Sequence, residues 1–310
     1  MPIVEVIFSI EVLVAGIRMT TPLLLASLGG LLASQCGVFN IGLEGLMLVG
    51  SFSAIVFDYL FNSWVLGVLG GILFSSLLAL VFAFFVVDLR ADEIVAGVAI
   101  NVLGLGATTY LLRTLFGVKG AFSSPRIQGI PVLNIPGIDR LPVIGALLSG
   151  DSVLVYFSWL LVVALAIFLY RTPLGLYIRA AGQNKEALAA AGISVRRVRY
   201  ISLVLNGALC GLGGAYLSIG YLSQFVENMT AGRGFIAIAA VVFGEGDPFR
   251  VFIASLLFGL VDSLSIRFQS LNIPSYFALM LPYIITTIVL AMTTYRKMKG
   301  KRRVQSADSY

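Results

Sequence analysis

The 310-residue sequence predicts an all-α, polytopic integral membrane protein, and three observations predict it. Hydrophobic residues make up 59% of the chain and charged residues only 12%, whereas a soluble domain carries about a quarter charged residues. Six runs, 19–43, 64–87, 94–112, 152–170, 200–226 and 268–295, contain no Asp, Glu, Lys or Arg. Each is long enough to cross a hydrocarbon layer about 30 Å thick as a helix rising about 1.5 Å per residue. The runs also lack the alternating polar faces of a barrel, so in a bilayer they satisfy their backbone groups as helices. A soluble core has no use for so much apolar helix at a mean hydropathy of +0.99.

Met1–Ile10 has no basic region and Glu5 is followed closely by Glu11, which does not suit a cleaved signal; the mature chain is expected to begin near Met1. Residues 11–34 read as one helix and 41–60 as a second. Gly37, Gly42, Gly45 and Gly50 are expected to interrupt the second as a broken or re-entrant segment. Residues 64–87 and 93–116 are spans joined by a charged turn with Asp88, Arg90, Asp92 and Glu93. A connection from Gly117 to Asp151, with Pro125, Pro131, Pro136 and Pro142, precedes the span at 152–170. After it come a basic segment, 171–199, and four candidates: about 200–222, a short Gly-rich one about 232–244, about 250–268 and about 275–295. The expectation is a single transmembrane domain over 1–310 with about 8 to 10 membrane helices, broken or re-entrant segments included.

The net charge of +6 raises the question of nucleic acid, but position answers it. More than half of the 21 basic residues sit in 171–199 and in the tail from Arg296. Membrane proteins concentrate Lys and Arg on the cytoplasmic side, so both segments are expected there, with an even number of crossings between them. Parity then puts the turn at 88–93 inside and 117–151 outside, and leaves the side of the N-terminus open. A Gly-interrupted segment at 37–50 followed by two spans, and another at 232–246 followed by two more, run in opposite senses by this parity. That arrangement admits an inverted repeat, a known transporter architecture.

Histidine is absent, which removes the usual general base and the commonest metal ligand. Cys36 and Cys210 lie in apolar, Gly-rich surroundings without metal or redox spacing. No catalytic constellation is present and no Gly-x-x-x-x-Gly-Lys-[Ser/Thr] phosphate loop occurs, so no catalytic residue, metal site or cofactor is expected in this chain.

The basic segment carries more than charge. From Thr172 it reads TPLGLYIRAAGQNKEALAAAGIS, then VRRVR. Asn184 is placed to cap a helix from Lys185 through Ala191, a run of strong helix formers, with Gly192 stopping it. A loop that only anchors to anionic headgroups needs no such helix; a docking knob for a cytoplasmic partner does.

Ala180–Ile193 resembles the coupling-helix loop of ABC importer permeases in the branch that handles ribose-type sugars, branched-chain amino acids and nucleosides. Gly37–Met47, GVFNIGLEGLM, resembles that branch's Gly-x-x-Asn-Ile-Gly-x-Glu-Gly signature, and Gly232–Gly244, GRGFIAIAAVVFG, its second Gly-rich segment. Together with LRADEIVAG from Leu89, the first motif is most similar to nucleoside permeases. The resemblance extends over about residues 20–295. It implies a permease subunit in a bacterial cytoplasmic membrane with its C-terminus cytoplasmic. The implied partners are a cytoplasmic ATP-binding subunit holding ATP and Mg, a second permease that is a related, non-identical chain, an extracellular substrate-binding protein and membrane lipid, with no nucleic acid. It also implies that Gly182, Gln183, Asn184, Lys185, Glu186, Ala189, Ala190 and Gly192 meet the ATPase.

Ionisable and amide side chains inside a membrane are functional candidates by default. Asn40, Glu44, Asn101, Asn206, Gln224 and Asp262 qualify. A nucleoside, with hydroxyls and mixed donors and acceptors, suits amides and aromatic rings better than ion pairs, and Phe39, Tyr110, Tyr216 and Phe243 could stack on it. The candidate substrate path is therefore Asn40, Glu44, Asn101, Asn206, Asp262, Phe39 and Phe243. The same amides and acids also serve to bond neighbouring helices, and the residues leave both readings open. Two alternatives stand beside a nucleoside importer: a permease for sugars or branched-chain amino acids, and an ion-coupled secondary transporter using Glu44 and Asp262.

Overall fold

The computed structural model describes residues 10–134 and 149–269, together with Met280 and Ile284. Its helices are α1 Ile10–Gln35, α2 Leu43–Phe61, α3 Trp64–Ala83 continued by a π-helical turn Phe84–Asp88, α4 Glu93–Phe116 and α5 Val153–Arg171. They continue with α6 Pro173–Gln183, α7 Lys185–Ala190, α8 Val195–Ala215 extended by a π-helical turn Tyr216–Leu222, α9 Arg233–Gly244 and α10 Pro248–Gln269. Seven of these are long and apolar enough to cross a membrane, and α9 is a shorter apolar helix. The all-α polytopic class holds. Apart from Met280 and Ile284, the candidate span at 275–295 and the tail from Arg296 lie outside the described residues.

Two-residue strands decorate one end: β1 Ala121–Phe122 pairs antiparallel with β4 Phe225–Val226, and β2 Val132–Leu133 with β3 Asp151–Ser152. At that end the Asp58 carboxylate accepts from the backbone N–H of Gln128 and Gly129, and Arg18 pairs with Asp151 at 2.6 Å. At the opposite end Arg196 and Tyr200 bond Asp88, the Phe39 N–H bonds Glu93, and the Gln35 amide bonds the Gly246 carbonyl. Successive long helices therefore run between a loop end and a basic end. The Arg18 pairing puts the start of α1 at the loop end, which parity had left open.

α8 runs through the middle, against α1, α2 and α3. The approach depends on glycine. A Cβ on Gly211 would lie 2.5 Å from the Gly71 carbonyl oxygen, one on Gly207 2.5 Å from the Ala79 Cβ, and one on Gly214 would run into the Met47 carbonyl oxygen. Lipid supplies little hydrophobic driving force between helices, so association rests on close packing, and small residues allow it. α1 and α8 are mostly buried, while α3, α4 and α5 show rows of exposed Leu, Val and Phe to their surroundings.

One expectation needs correction. Gly45 and Gly50 do not break the second span; α2 runs without interruption from Leu43, and the break lies before it, at 36–42, between Gly37 and Gly42. A mid-helix Gly costs about 1 kcal/mol of propensity, but Gly45 admits the Ile100 carbonyl, 2.5 Å from its would-be Cβ, and Gly50 admits Gly211 at 2.6 Å. Packing outweighs propensity at both.

Candidate functional site

The break between α1 and α2 leaves backbone groups to satisfy away from water, and two amides do it. Gly37, at φ +78°, turns the chain out of α1. Asn40 accepts from the Gly42 N–H at 2.7 Å and donates to Asn206 Oδ1 at 2.9 Å, tying the loop to α8. Asn101 on α4 donates to the Ile41 carbonyl at 3.0 Å and accepts from the Gly45 N–H at 2.8 Å. The first N–H groups of a helix have no intrahelical acceptor, so these bonds fix where α2 starts.

Glu44, one residue into α2, reaches across to α9. Its carboxylate accepts from the Gly232 N–H at 2.8 Å and the Gly234 N–H at 2.6 Å, capping α9 from another helix. A carboxylate is favourable there because the helix dipole makes an N-terminus positive. Gly234 is required for this: a Cβ would fall 2.5 Å from the Glu44 Cα. The residue between the two glycines, Arg233, turns the other way and pairs with Asp262 on α10 at 3.0 Å, both side chains being largely buried. Its other nitrogen lies 3.4 Å from the carbonyls of Met229 and Thr230. Glu44, through the backbone of Gly232 and Gly234, and the Arg233–Asp262 ion pair thus join α2, α9 and α10.

Asn40, Asn206, Asn101, Glu44 and Asp262 are therefore brought near the α2 and α9 starts, each bonded to protein. The Nδ2 of Asn206 is buried without a partner among the described residues. Phe39 is 42% exposed beside the loop, whereas Phe243 packs on Phe258 at 5.7 Å between ring centres, in a small cluster with Leu23 and Ala240. Phe39 and Asn40 line a cleft of about 10 Å³ with Gly30 and Val241, room for about one water. An open groove of about 450 Å³ lies elsewhere, between α2, α3 and α4, walled by Phe52, Phe57, Phe74, Leu103 and Leu111 and almost wholly apolar.

At the basic end, Thr172 caps α6 through the Gly175 N–H at 3.1 Å with Pro173 in the first turn, and Asn184 caps α7 through the Ala187 N–H at 2.9 Å. Gly192, at φ +78°, ends the segment after α7 closes at Ala190. Leu188 is the buried anchor of α7, while Gln183, Asn184, Lys185, Glu186, Ala189 and Ala190 are exposed. Gly182 is exposed too, but one side of it is seated on α1, where a Cβ would collide with the Gln35 carbonyl oxygen. Arg179 lies 5.0 Å over the Tyr170 ring.

Sequence reasoning passed over Arg233 as a partner and Gln35 and Asp58 altogether. Charge balance was the available signal for the first: an arginine and an aspartate in neighbouring apolar segments must find each other or pay for isolation. Gln35 and Asp58 bond backbone groups far away in the chain, which leaves no trace in local spacing.

The family profile described as branched-chain amino acid transport system / permease component matches residues 12–290. The guanosine ABC transporter permease of Bacillus subtilis is 37% identical over 289 residues, 88% of each chain. The nucleoside ABC transporter permease of Lactococcus lactis subsp. cremoris is 35% identical over 301 residues, 93% of this chain and 94% of that one. A Haloferax volcanii protein, provisionally named a glucose ABC transporter permease, is 36% identical over 270 residues, 86% and 80%. The first two bacteria each hold a second, more distant relative named for the same cargo, 26% and 27% identical.

Proposed function

This chain belongs to the permease-component family of branched-chain amino acid transport systems, and on that premise we propose that it forms, with a related but non-identical second permease, the membrane path of an importer for nucleosides. The observation that carries the cargo is the 35–37% identity, over about nine-tenths of the chain, to permeases named for guanosine and nucleosides. The paired relatives in two bacteria support a heteromeric partner.

The chain is a translocation subunit. Its energy comes through a separate ATP-binding subunit that holds ATP and Mg. The basic end is the cytoplasmic one, with the C-terminal tail on the same side, by the concentration of Lys and Arg. There the exposed residues Gln183 to Glu186, Ala189 and Ala190 form the docking surface, with Gly182 and Gly192 as its structural limits. The loop end, with 117–134, faces outward toward a binding protein that delivers cargo.

Asn40, Asn101, Asn206, Glu44 and Asp262 shape the path by holding the starts of α2 and α9, and Phe39 is the candidate best placed to meet cargo directly. The ion-coupled reading loses support at the same residues, because Glu44 is taken by two N–H groups and Asp262 by Arg233. Sugars and branched-chain amino acids are the alternative cargoes of the same mechanism, and the Haloferax relative favours keeping sugars in the test.

The test is reconstitution of the chain with its partners and measurement of labelled nucleoside uptake with and without ATP, in competition with ribose, glucose and leucine. ATP-dependent uptake displaced only by unlabelled nucleoside is expected. Displacement by sugar or amino acid would reassign the cargo, and uptake by the chain alone would restore the secondary transporter.

A further inference from the structure

α9 is a rod held at both ends. At about 1.5 Å per residue its 12 residues span about 18 Å, too short to cross a bilayer. The chain enters it through left-handed residues, Asn228 at φ 57°, Ala231 at φ 47° and Gly232 at φ +86°, and leaves it through Glu245 at φ 50° and Gly246 at φ +86°. Sharp reversals on both sides make the rod a unit distinct from its flanks. Its N-terminal end is held by the Glu44 carboxylate, as described above.

Its C-terminal end is held by Gln35. The Gln35 side-chain amide donates to the Gly246 carbonyl at 2.7 Å, and the Tyr170 hydroxyl lies 3.4 Å from the same oxygen. The fit is close: a Cβ on Gly246 would be 2.5 Å from Gln35 Nε2. Gln35 is also the residue on whose backbone carbonyl Gly182 is seated, one residue before the docking segment begins. One glutamine thus packs closely against Gly182 through its main chain and bonds the end of the half-length rod through its side chain. The hydrogen bond to Gly246 keeps its direction and length when its elements move, and the tight seating of Gly182 on the Gln35 carbonyl leaves no slack on the other side, whereas apolar packing between helices allows small sliding.

We propose that Gln35 is the positioning residue that makes α9 follow the Gln183–Ala190 segment, so that a displacement imposed there reaches Glu44, Arg233 and Asp262 as a movement of one rod. This rests on the reading of Gln183–Ala190 as the ATPase docking surface. It assigns the moving element and the link, which that reading leaves open.

The experiment uses the assembled complex. Spin labels at Val242→Cys on α9 and Leu60→Cys at the far end of α2, both exposed positions, report the rod against the bundle; Cys36 and Cys210 are buried and stay unlabelled. The inter-label distance should shift between the nucleotide-free complex and the complex with a non-hydrolysable ATP analogue. Gln35→Met, which removes the donor, and Gly246→Ala, which displaces it from the other side, should abolish the shift and cut uptake at least about tenfold while ATP hydrolysis persists. Gln35→Lys, which keeps a donor, should recover both. A shift that survives Gln35→Met and Gly246→Ala, or no shift in the unmodified complex, overturns the proposal. A nucleotide-driven shift without nucleoside uptake would overturn the cargo assignment and leave Gln35 in its role.

Discussion

The Arg233 guanidinium lies 3.0 Å from the Asp262 carboxylate, an ion pair between a half-length helix and a full-length one inside an apolar bundle. Neither side chain is more than 16% exposed. Removing one member strands a charge where water cannot compensate it, which costs about 3–5 kcal/mol for a fully buried pair. Replacing both with apolar residues of similar size avoids that cost. Asp262→Leu is expected to lower the thermal midpoint in detergent markedly, and Arg233→Met with Asp262→Leu to recover most of the loss. Equal midpoints for the single and double variants would show that the pairing does not matter to stability.

Two glycines make opposite forecasts. Gly214 has no room for a methyl group against the Met47 carbonyl, so Gly214→Ala forces α8 off α2 and should destabilise by about 1–3 kcal/mol. Gly106 on α4 has nothing within 4 Å of a would-be Cβ, so Gly106→Ala should be neutral or stabilising by up to about 1 kcal/mol through helix propensity. Thermal unfolding of the two variants in the same detergent decides it, and a reversed ranking would refute the packing account.

Cys36 lies in the loop after α1, fully buried, and burial pushes its thiol up to about 11. The thiolate is the reactive form, and a raised value keeps it scarce at neutral pH. Maleimide labelling of Cys36 should be negligible near pH 7 and accelerate as pH climbs toward 11. A cysteine at Glu186→Cys, on the exposed face of α7, should label fast in the isolated chain and be protected in the assembled complex. Fast labelling of Cys36 at neutral pH contradicts the buried loop, and an unprotected cysteine at 186 contradicts the docking surface.

Much of the architecture was legible in one dimension because a bilayer admits few solutions. Charge-free runs of sufficient length become helices, and α1, α3, α4, α5 and α8 fall largely on such runs, whereas α2 and α10, which carry Glu44, Asp58, Asp262 and Arg267, were marked by their overall hydropathy. Asn184 and Gly192 bracket α7 for local reasons, a side-chain cap and a left-handed exit, so that helix too was readable. The glycines of α2 were not: a glycine that breaks a helix and one that lets another backbone approach look the same in sequence, and only Ile100 and Gly211 distinguish Gly45 and Gly50.

The sequence by itself determined the membrane class, the order of the helices, the exposed helical knob at 185–190 and the set of polar residues that could not be left bare in lipid. These follow from burial and backbone bonding, which act residue by residue. Only the tertiary structure decided who answers whom: Asn40 with Asn206, Glu44 with the start of α9, Arg233 with Asp262, and Gln35 with both Gly182 and Gly246. Such partners lie as many as about two hundred positions apart, and their choice depends on which helix faces meet at what depth. That is a property of packing in three dimensions, which no local pattern encodes.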